Sequence, residues 1–207
     1  MAIATYSDLQ AAIGNWLDHS LFTARVPEFI ALFEAAANRR LRARQQESTA
    51  TLTPDAGGRA ALPSDYLAWR RVTWTGQTRT ELQYVHPSYL QGAYPTQPAD
   101  TPRFFTIEGA TLKVMPLDST PLELDYFQKV PALAQVAPQD GTQANWLLGA
   151  HPDLYLFGVM VEAELFGVND ERMPTWKARR DEIFEEIEKL DMKTRGPSAV
   201  RVFGATP

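Results

Sequence analysis

The sequence predicts an α+β protein, namely a helical bundle with an inserted antiparallel β region and an extended C-terminal tail. Apolar residues recur with helical spacing towards both ends of the 207-residue chain, whereas they alternate with polar residues in its middle. No helix of crossover length separates the predicted strands. The expected division is a bundle formed by 1–47 and 145–192, a β insert over 48–144 and a tail over 193–207.

Two helices are predicted before the β region. The first covers Ser7 to Asp18, where Ser7 and Gln10 fit a capping box. The second covers Glu28 to about Arg44 and follows Pro27, a residue suited to a helix's first turn. Four arginines near its end could hold phosphate, but cations also suit a helix carboxyl end, so we interpret them as solvated charges. These arginines are Arg39, Arg40, Arg42 and Arg44.

Seven short runs between the two helical parts are predicted to be strands. Their length and the turn residues between them favour antiparallel pairing. The Asp55–Arg59 stretch is predicted to be the turn of a hairpin, and Pro87–Ala93 a helical turn. The runs are Ser48–Thr53, Arg59–Leu62, Leu67–Trp74, Arg79–Tyr84, Arg103–Ile107, Thr111–Met115 and Thr120–Gln128.

The third strand carries two adjacent arginines between two tryptophans. Successive side chains of a strand point to opposite faces, so Arg70 and Arg71 are expected on opposite sides and unable to grip one group together. Trp69 and Trp74 are expected to pack inside the β region. This pattern therefore favours a structural strand over a nucleic-acid patch.

Two helices and a tail are predicted after the β region. The stretch Leu154–Phe166 is apolar on nearly every face, which indicates a helix buried on several sides. Asp170–Met192, or a shorter helix starting at Pro174, is amphipathic with a charged outer face. Lys193–Pro207 has no acidic residue and no helical period, and is predicted to be a tail.

Composition excludes several classes of function. The net charge of −5 gives no global attraction to nucleic acid or anionic lipid, and the absence of cysteine excludes disulfides and zinc–cysteine sites. No apolar run reaches the roughly 20 residues that span a bilayer. The N-terminal residues show no secretion signal, so a reducing cytosol is the expected site of synthesis.

Residues for catalysis or for a cofactor are not evident in the sequence. The three histidines do not stand at metal-ligand spacing, and no Gly-x-Ser-x-Gly motif occurs. Glu123 and Asp125 share one face of a predicted strand and could form a carboxylate pair. They alternate with apolar residues as a solvent-facing row does, and we prefer that interpretation. No catalytic residue, metal or cofactor is therefore expected.

The order of these parts resembles the head-to-tail adaptor (head-completion) proteins of tailed bacteriophages. The resemblance covers nearly the whole chain and lies in the series of segments rather than in one motif. The segments are "YSDLQAAIGNWLD" (Tyr6–Asp18), "VPEFIALFEAAANRRLR" (Val26–Arg42), "LPSDYLAWRRVTW" (Leu62–Trp74), "TPRFFTIEGATLKVMP" (Thr101–Pro116), "LELDYFQKVPAL" (Leu122–Leu133) and "HPDLYLFGVMVEAELF" (His151–Phe166).

The resemblance implies a non-enzymatic virion protein of the head–tail junction, made in the bacterial host. Such proteins form a ring, typically twelve-fold, that binds the portal, extends a channel through which DNA passes without specific binding, and docks tail or nozzle proteins. No membrane contact is implied.

The basic and alternating residues of the tail predict an extended segment that docks on the portal or on an adjacent subunit. We assign this role to Lys193, Arg195, Val200, Arg201, Val202 and Phe203. Two other functions stay open at this stage. One is a carbohydrate- or protein-binding β module of a phage tail, which predicts an aromatic surface among Trp69, Trp74, Tyr84, Tyr89 and Tyr94; the other is a small cytosolic hydrolase.

Overall fold

Helices at both ends of the chain and strands in its middle give an α+β fold, as the sequence predicts. A computed structural model describes the backbone of residues 3–17, 24–167 and 171–195, and all side chains in these ranges except those of 167 and 192–195. The described chain forms two compact units, one made of the residues up to Gln45 with those from Val130 onward, the other of Gln46–Lys129. The predicted boundaries at 47/48 and 144/145 stay a prediction.

Most helices belong to the first unit, and α5 lies at its centre. The helices are α1 (Tyr6–Leu17), α2 (Val26–Arg40), α3 (Pro87–Ala93), α4 (Trp146–Ala150), α5 (Pro152–Gly167) and α6 (Met173–Arg195). Helix α5 packs against α1, α2, α4 and α6, which confirms that it is buried on several sides. A Cβ on its Gly158 would lie 2.1 Å from the Phe33 ring, so the missing side chain lets α2 approach α5 closely.

Helix α1 begins with a capping box other than the predicted one. The Thr5 hydroxyl accepts a hydrogen bond from the Asp8 amide at 3.2 Å, and the Asp8 carboxylate accepts one from the Thr5 amide at 3.1 Å. The expectation that Ser7 and Gln10 form the box is therefore wrong, because a threonine two residues earlier finds an acid at the right spacing.

Helix α2 ends at Arg40 rather than at Arg44. Leu41 leaves the helix in an extended conformation, and both Leu41 and Ala43 are buried in the core. The Arg42 guanidinium donates a hydrogen bond to the carbonyl of Asn38 at 2.9 Å. Burial of two apolar side chains beyond the helix thus outweighs the helical tendency of the arginine-rich stretch.

The second unit contains eight strands in two sheets. The strands are β1 (Glu47–Leu52), β2 (Arg59–Ala61), β3 (Tyr66–Trp74), β4 (Thr80–Glu81), β5 (Gln83–Tyr84), β6 (Phe104–Glu108), β7 (Thr111–Met115) and β8 (Leu122–Gln128). Sheet A has the order β1-β8-β3-β4 and sheet B the order β2-β7-β6-β5. Their apolar faces supply one core cluster, in which Val72, Phe105 and Leu124 are fully buried.

Antiparallel pairing was predicted, and five of the six described strand pairs show it. Strands β5 and β6 run parallel, with Gln83 opposite Phe104. The chain between them contains α3 and a proline-rich loop, which is long enough to return it in the same direction. The predicted Arg79–Tyr84 strand is also divided, because the buried Leu82 lies between a residue of sheet A and one of sheet B.

The Asp55–Arg59 stretch is a turn but not the turn of a hairpin. The Asp55 carboxylate accepts hydrogen bonds from the amides of Gly57 and Arg59, at 2.8 and 2.9 Å. Gly58 adopts a φ of +71° where a Cβ would lie 2.8 Å from the Val114 carbonyl oxygen. The strands on either side pair with different partners, since β1 joins β8 and β2 joins β7. The turn therefore carries the chain between sheets.

Candidate functional site

The tail residues proposed from the sequence lie largely beyond the described part of the chain. Lys193 and Arg195 belong to the last turn of α6, although their side chains are not described. Val200, Arg201, Val202 and Phe203 fall outside the described residues. The tail was expected to start at Lys193, but α6 continues to Arg195, because Gly196 and Pro197 are the first helix-breaking residues after Met192.

A β-bulge brings Arg70 and Arg71 into one groove. Trp69 faces Tyr126 across the ladder, whereas Arg71 faces the very next residue, Asp125, so Arg70 is an extra residue on β3. Both arginines line a groove of about 620 Å³. The expectation that they point to opposite faces is therefore wrong. Two arginines without an intervening apolar residue interrupt the alternation, and this was the available signal for a bulge.

Each arginine of this groove is held by a carboxylate. Arg70 pairs with Glu47, and Arg71 donates to the Asp125 carboxylate at 2.6 and 2.8 Å. The Thr49 hydroxyl donates to the other Asp125 oxygen at 2.7 Å. Partial burial acts to raise the pKa of Asp125, but the hydrogen bonds from Thr49 and Arg71 outweigh it and lower that pKa below its ordinary value.

A third cross-strand pair extends this row of charges. Glu123 lies on the same face as Asp125 and pairs with Arg79. The two carboxylates thus serve as separate arginine partners, in keeping with the interpretation of a solvent-facing row. We call this surface the outer face of sheet A; its charged residues are Glu47, Arg70, Arg71, Arg79, Glu81, Glu123 and Asp125.

Four of the five aromatic residues proposed for a binding surface form two separate groups. Trp69 stacks on Tyr84 with ring centroids 5.5 Å apart, and the buried Phe105 packs edge-on against both. Trp69 and Tyr84 stay 39% and 40% exposed, so Trp69 is not the buried packing residue that was expected. Tyr89 and Tyr94 pack instead on Phe104, which as the neighbour of Phe105 points to the opposite face of β6.

Trp74 has a different environment from Trp69. It is partly buried against the β core, and its indole N–H donates to the Asp118 carboxylate at 2.8 Å. A Cβ on Gly76 would lie 2.0 Å from its ring, so the turn after β3 closes directly over the indole. Trp74 is therefore a packing residue, as the sequence predicts, and does not join a common aromatic surface.

A family model decides what kind of protein carries these surfaces. The model described as SU10 adaptor protein matches residues 4–202. The chain belongs to this family. It is thus a structural protein of a phage virion, in a family of adaptors rather than of enzymes. A comparison with curated proteins gives no match.

The helical unit of the adaptor holds its arginine-rich stretch mostly by internal contacts. Arg40 pairs with Asp181 at 3.0 Å and Glu188 at 3.2 Å, and its guanidinium lies 4.5 Å from the Phe184 ring centroid. The Arg44 amide donates to Asp191 at 2.8 Å. The stretch therefore ties the end of α2 to α6, so Arg40 is an ion-pair partner of α6 rather than only the solvated charge that the sequence predicted.

A buried polar network fixes the segment between the β unit and α5. Glu34 is only 5% exposed, and its carboxylate accepts hydrogen bonds from the Leu133 amide at 2.9 Å and the Tyr155 hydroxyl at 3.1 Å. Asn145 donates to the same hydroxyl and caps α4 through the Leu148 amide. Burial raises the pKa of Glu34. The sequence signal was a carboxylate on the apolar stripe of α2.

One further groove lies on the helical unit. It has a volume of about 650 Å³, and Trp16 forms part of its wall at 47% exposure. The lining residues are Trp16, Phe157, Thr175, Trp176, Ala178, Arg179 and Glu182. In the described ranges, no helix is long and apolar enough to span a membrane, and no group of side chains could hold a metal ion.

Proposed function

We propose that this adaptor forms a ring, twelve-fold by resemblance, that binds the portal, extends the DNA channel and docks tail or nozzle proteins at the neck of the virion. The observation that carries the proposal is the family match along nearly the full chain. A ring subunit needs lateral and axial surfaces but no reaction centre. In a ring, each copy contacts its two neighbours through two different surfaces, which is called a heterologous interface. In a two-fold dimer, by contrast, both copies use the same surface.

The charge of the chain supports a channel that lets DNA slide. A basic lining would neutralise phosphates, release counterions and retain the duplex. The net charge of −5 opposes such retention. Arginines of the described outer face of sheet A are offset by carboxylates, so they offer little uncompensated positive charge to phosphate. The proposal therefore includes passage of DNA without specific binding.

The outer surface of α6 supports assembly on a template. Its exposed side chains form pairs within the helix, such as Arg179 with Glu182 at 2.6 Å and Glu185 with Lys189 at 3.2 Å. Such exposed pairs are worth at most about 1 kcal/mol each and give no strong drive to self-association. We infer that isolated copies associate weakly and close into a ring on the portal.

The C-terminal segment is the part of the chain that we assign to the joint. Its site residues are Lys193, Arg195, Val200, Arg201, Val202 and Phe203. Lys193 and Arg195 lie in the last turn of α6, whereas Val200, Arg201, Val202 and Phe203 form the part that we assign to an extended strand, which suits an acidic surface with an apolar strip. The acceptor is either the portal or an adjacent subunit.

Native mass spectrometry of the adaptor, alone and with the portal, tests this function. We expect monomers or small oligomers of the adaptor alone, and a ring of defined copy number bound to the portal. A stable ring without the portal would contradict the template role. A strict monomer in the presence of the portal would contradict the connector function as a whole.

A further inference from the structure

Strand β1 presents an open edge. Within the described residues it pairs with β8 alone, from Glu47 opposite Phe127 to Leu52 opposite Leu122. Natural edge strands are commonly protected by lysine, proline or a bulge. The stretch Ser48–Leu52 contains no charged residue and no proline, and its ladder to β8 has no register shift. This edge is therefore suited to receive another strand.

The two faces beside this edge differ in polarity. Leu52 is buried in the β core and Ala50 packs against it, so an added strand would meet apolar surface on the core side. On the other side lies the outer face of sheet A, with Thr49 and Thr51 at its margin. Its carboxylates are Glu47, Glu81, Glu123 and Asp125, and its cations are Arg70, Arg71 and Arg79. Each of these cations pairs with one of the carboxylates, and the fourth carboxylate, Glu81, lies on β4 at the opposite edge of the sheet.

The chain carries a segment with the matching pattern. In "SAVRVF", which runs from Ser198 to Phe203, Val200 and Val202 stand on either side of Arg201. As a strand beside β1, this segment would direct both valines to the Ala50 side, and Arg201 together with Phe203 to the polar outer face of sheet A. If the segment were turned over, Arg201 would be buried against apolar surface at a large cost in free energy. The side-chain pattern therefore determines which face of the segment meets the core.

We propose that Ser198–Phe203 of one adaptor adds as a fifth strand to β1 of sheet A in a neighbouring copy. This inference rests on the proposed function and deepens it, because it names the adjacent subunit as acceptor of the C-terminal segment. Main-chain hydrogen bonds supply affinity, the valines and the arginine supply register, and each copy both gives and receives a strand. Such head-to-tail exchange is the heterologous contact that a closed ring requires.

Cysteine crosslinking tests the contact directly, because the natural chain contains no cysteine. Opposed residues on neighbouring antiparallel strands have Cα atoms about 4.5–5.5 Å apart. This spacing lies within the roughly 4.4–6.8 Å that a disulfide needs. One full-length variant carries Arg201→Cys, and a second carries Thr51→Cys or Thr49→Cys. Both threonines are used because a shift of the added strand by two residues leaves the same side chains on the same face. The variants are mixed, with and without portal, and oxidised with diamide.

We expect disulfide-linked dimers between the Arg201 variant and the β1 variants, and wild-type adaptor in excess should suppress them. The matched control is Thr80→Cys, an exposed threonine on β4 at the opposite edge of the same sheet. Equal crosslinking to the Thr80→Cys variant would show that the disulfides form by random collision, and would overturn the proposal. A third variant carries both cysteines in one chain, and a disulfide that forms only within that chain would overturn the neighbouring copy as acceptor.

Separate measurements test the formation of the ring and the exchange of strands. If native mass spectrometry shows the ring on the portal but crosslinking to β1 is absent, the strand exchange is wrong and the connector function stands. If no ring forms with the portal, the connector function fails. Crosslinks of the adaptor alone then still report whether the segment binds β1.

A charge exchange gives a second readout on full-length chains. Arg201→Glu should reduce association of the adaptor, because it places a carboxylate on the face of β1 that carries Glu47, with Glu123 and Asp125 one strand further on. Combining it with Thr51→Lys should restore association, whereas Arg201→Lys should change it little. Unchanged association for Arg201→Glu would contradict the proposed placement of the arginine.

Discussion

At the residue scale, the adaptor depends on a few polar side chains inside apolar surroundings. Glu34 shows this best, since it lies in the helical core yet holds the segment that follows the β unit through the Leu133 amide. Removal of a buried acceptor leaves its donors without partners, which costs more free energy than the hydrogen bond itself contributes. The network formed by Glu34, Asn145 and Tyr155 should therefore be sensitive to substitution.

Glu34→Leu should destabilise the adaptor by on the order of 1–3 kcal/mol for each donor left unsatisfied, the Leu133 amide and the Tyr155 hydroxyl. Glu34→Gln is the matched control, because its amide oxygen can accept from the same donors. Urea unfolding followed by circular dichroism measures both free energies. If the two variants unfold at the same urea concentration, the network does not stabilise the fold through these bonds.

The raised pKa of Glu34 also predicts a dependence of stability on pH. The folded protein binds this proton more tightly than the unfolded chain does, so the stabilising term is complete below the ordinary glutamate pKa. It is lost as pH rises through the raised pKa of the folded state. The free-energy difference between wild type and Glu34→Gln should therefore fall over this range. A constant difference from pH 4 to pH 8 would contradict the raised pKa.

The two tryptophans of β3 should respond differently to truncation. Trp74→Ala should cost about 3–5 kcal/mol, since it removes a packed indole and the hydrogen bond to Asp118. Trp69→Ala should cost less, because that side chain is 39% exposed. Thermal unfolding of both variants measures the contrast. A Trp69 variant of wild-type stability that loses binding to a sugar would favour the alternative of a carbohydrate-binding β module.

At the element scale, regular patterns were predictable from sequence and exceptions were not. The extent of β7 and of α3 agrees with the runs Thr111–Met115 and Pro87–Ala93, because local alternation and a proline at a first turn decide them. The sheet to which each strand belongs was not predicted, since it depends on which distant strand each run pairs with. The bulge at Arg70 and the end of α2 follow from tertiary packing, which a local pattern does not contain.

The cross-strand pair of Arg71 and Asp125 offers a test at this scale. Both side chains lie on the outer face of sheet A, partly open to solvent, so the pair should contribute little to stability. A double-mutant cycle with Arg71→Ala and Asp125→Ala should give a coupling energy of up to about 1 kcal/mol that declines in high salt. A larger coupling that salt leaves unchanged would show that the pair is effectively buried.

At the scale of the whole molecule, the C-terminal segment separates stability from assembly. Both apolar clusters of the described structure are built from residues that precede Asp191. Deleting Ser198–Pro207 should therefore leave the melting temperature nearly unchanged while it abolishes assembly on the portal. The measurements are thermal unfolding of the variant and native mass spectrometry with the portal.

A shorter deletion supplies the control for this last prediction. Removing only Gly204–Pro207 keeps Val200, Arg201, Val202 and Phe203, and should leave assembly intact. The comparison is informative because ordering an extended segment costs about 1–2 kcal/mol per residue, so only a segment with matching side chains remains bound. If the longer deletion still assembles on the portal with unaltered affinity, the segment is not the joint, and surfaces of the two described units must make it.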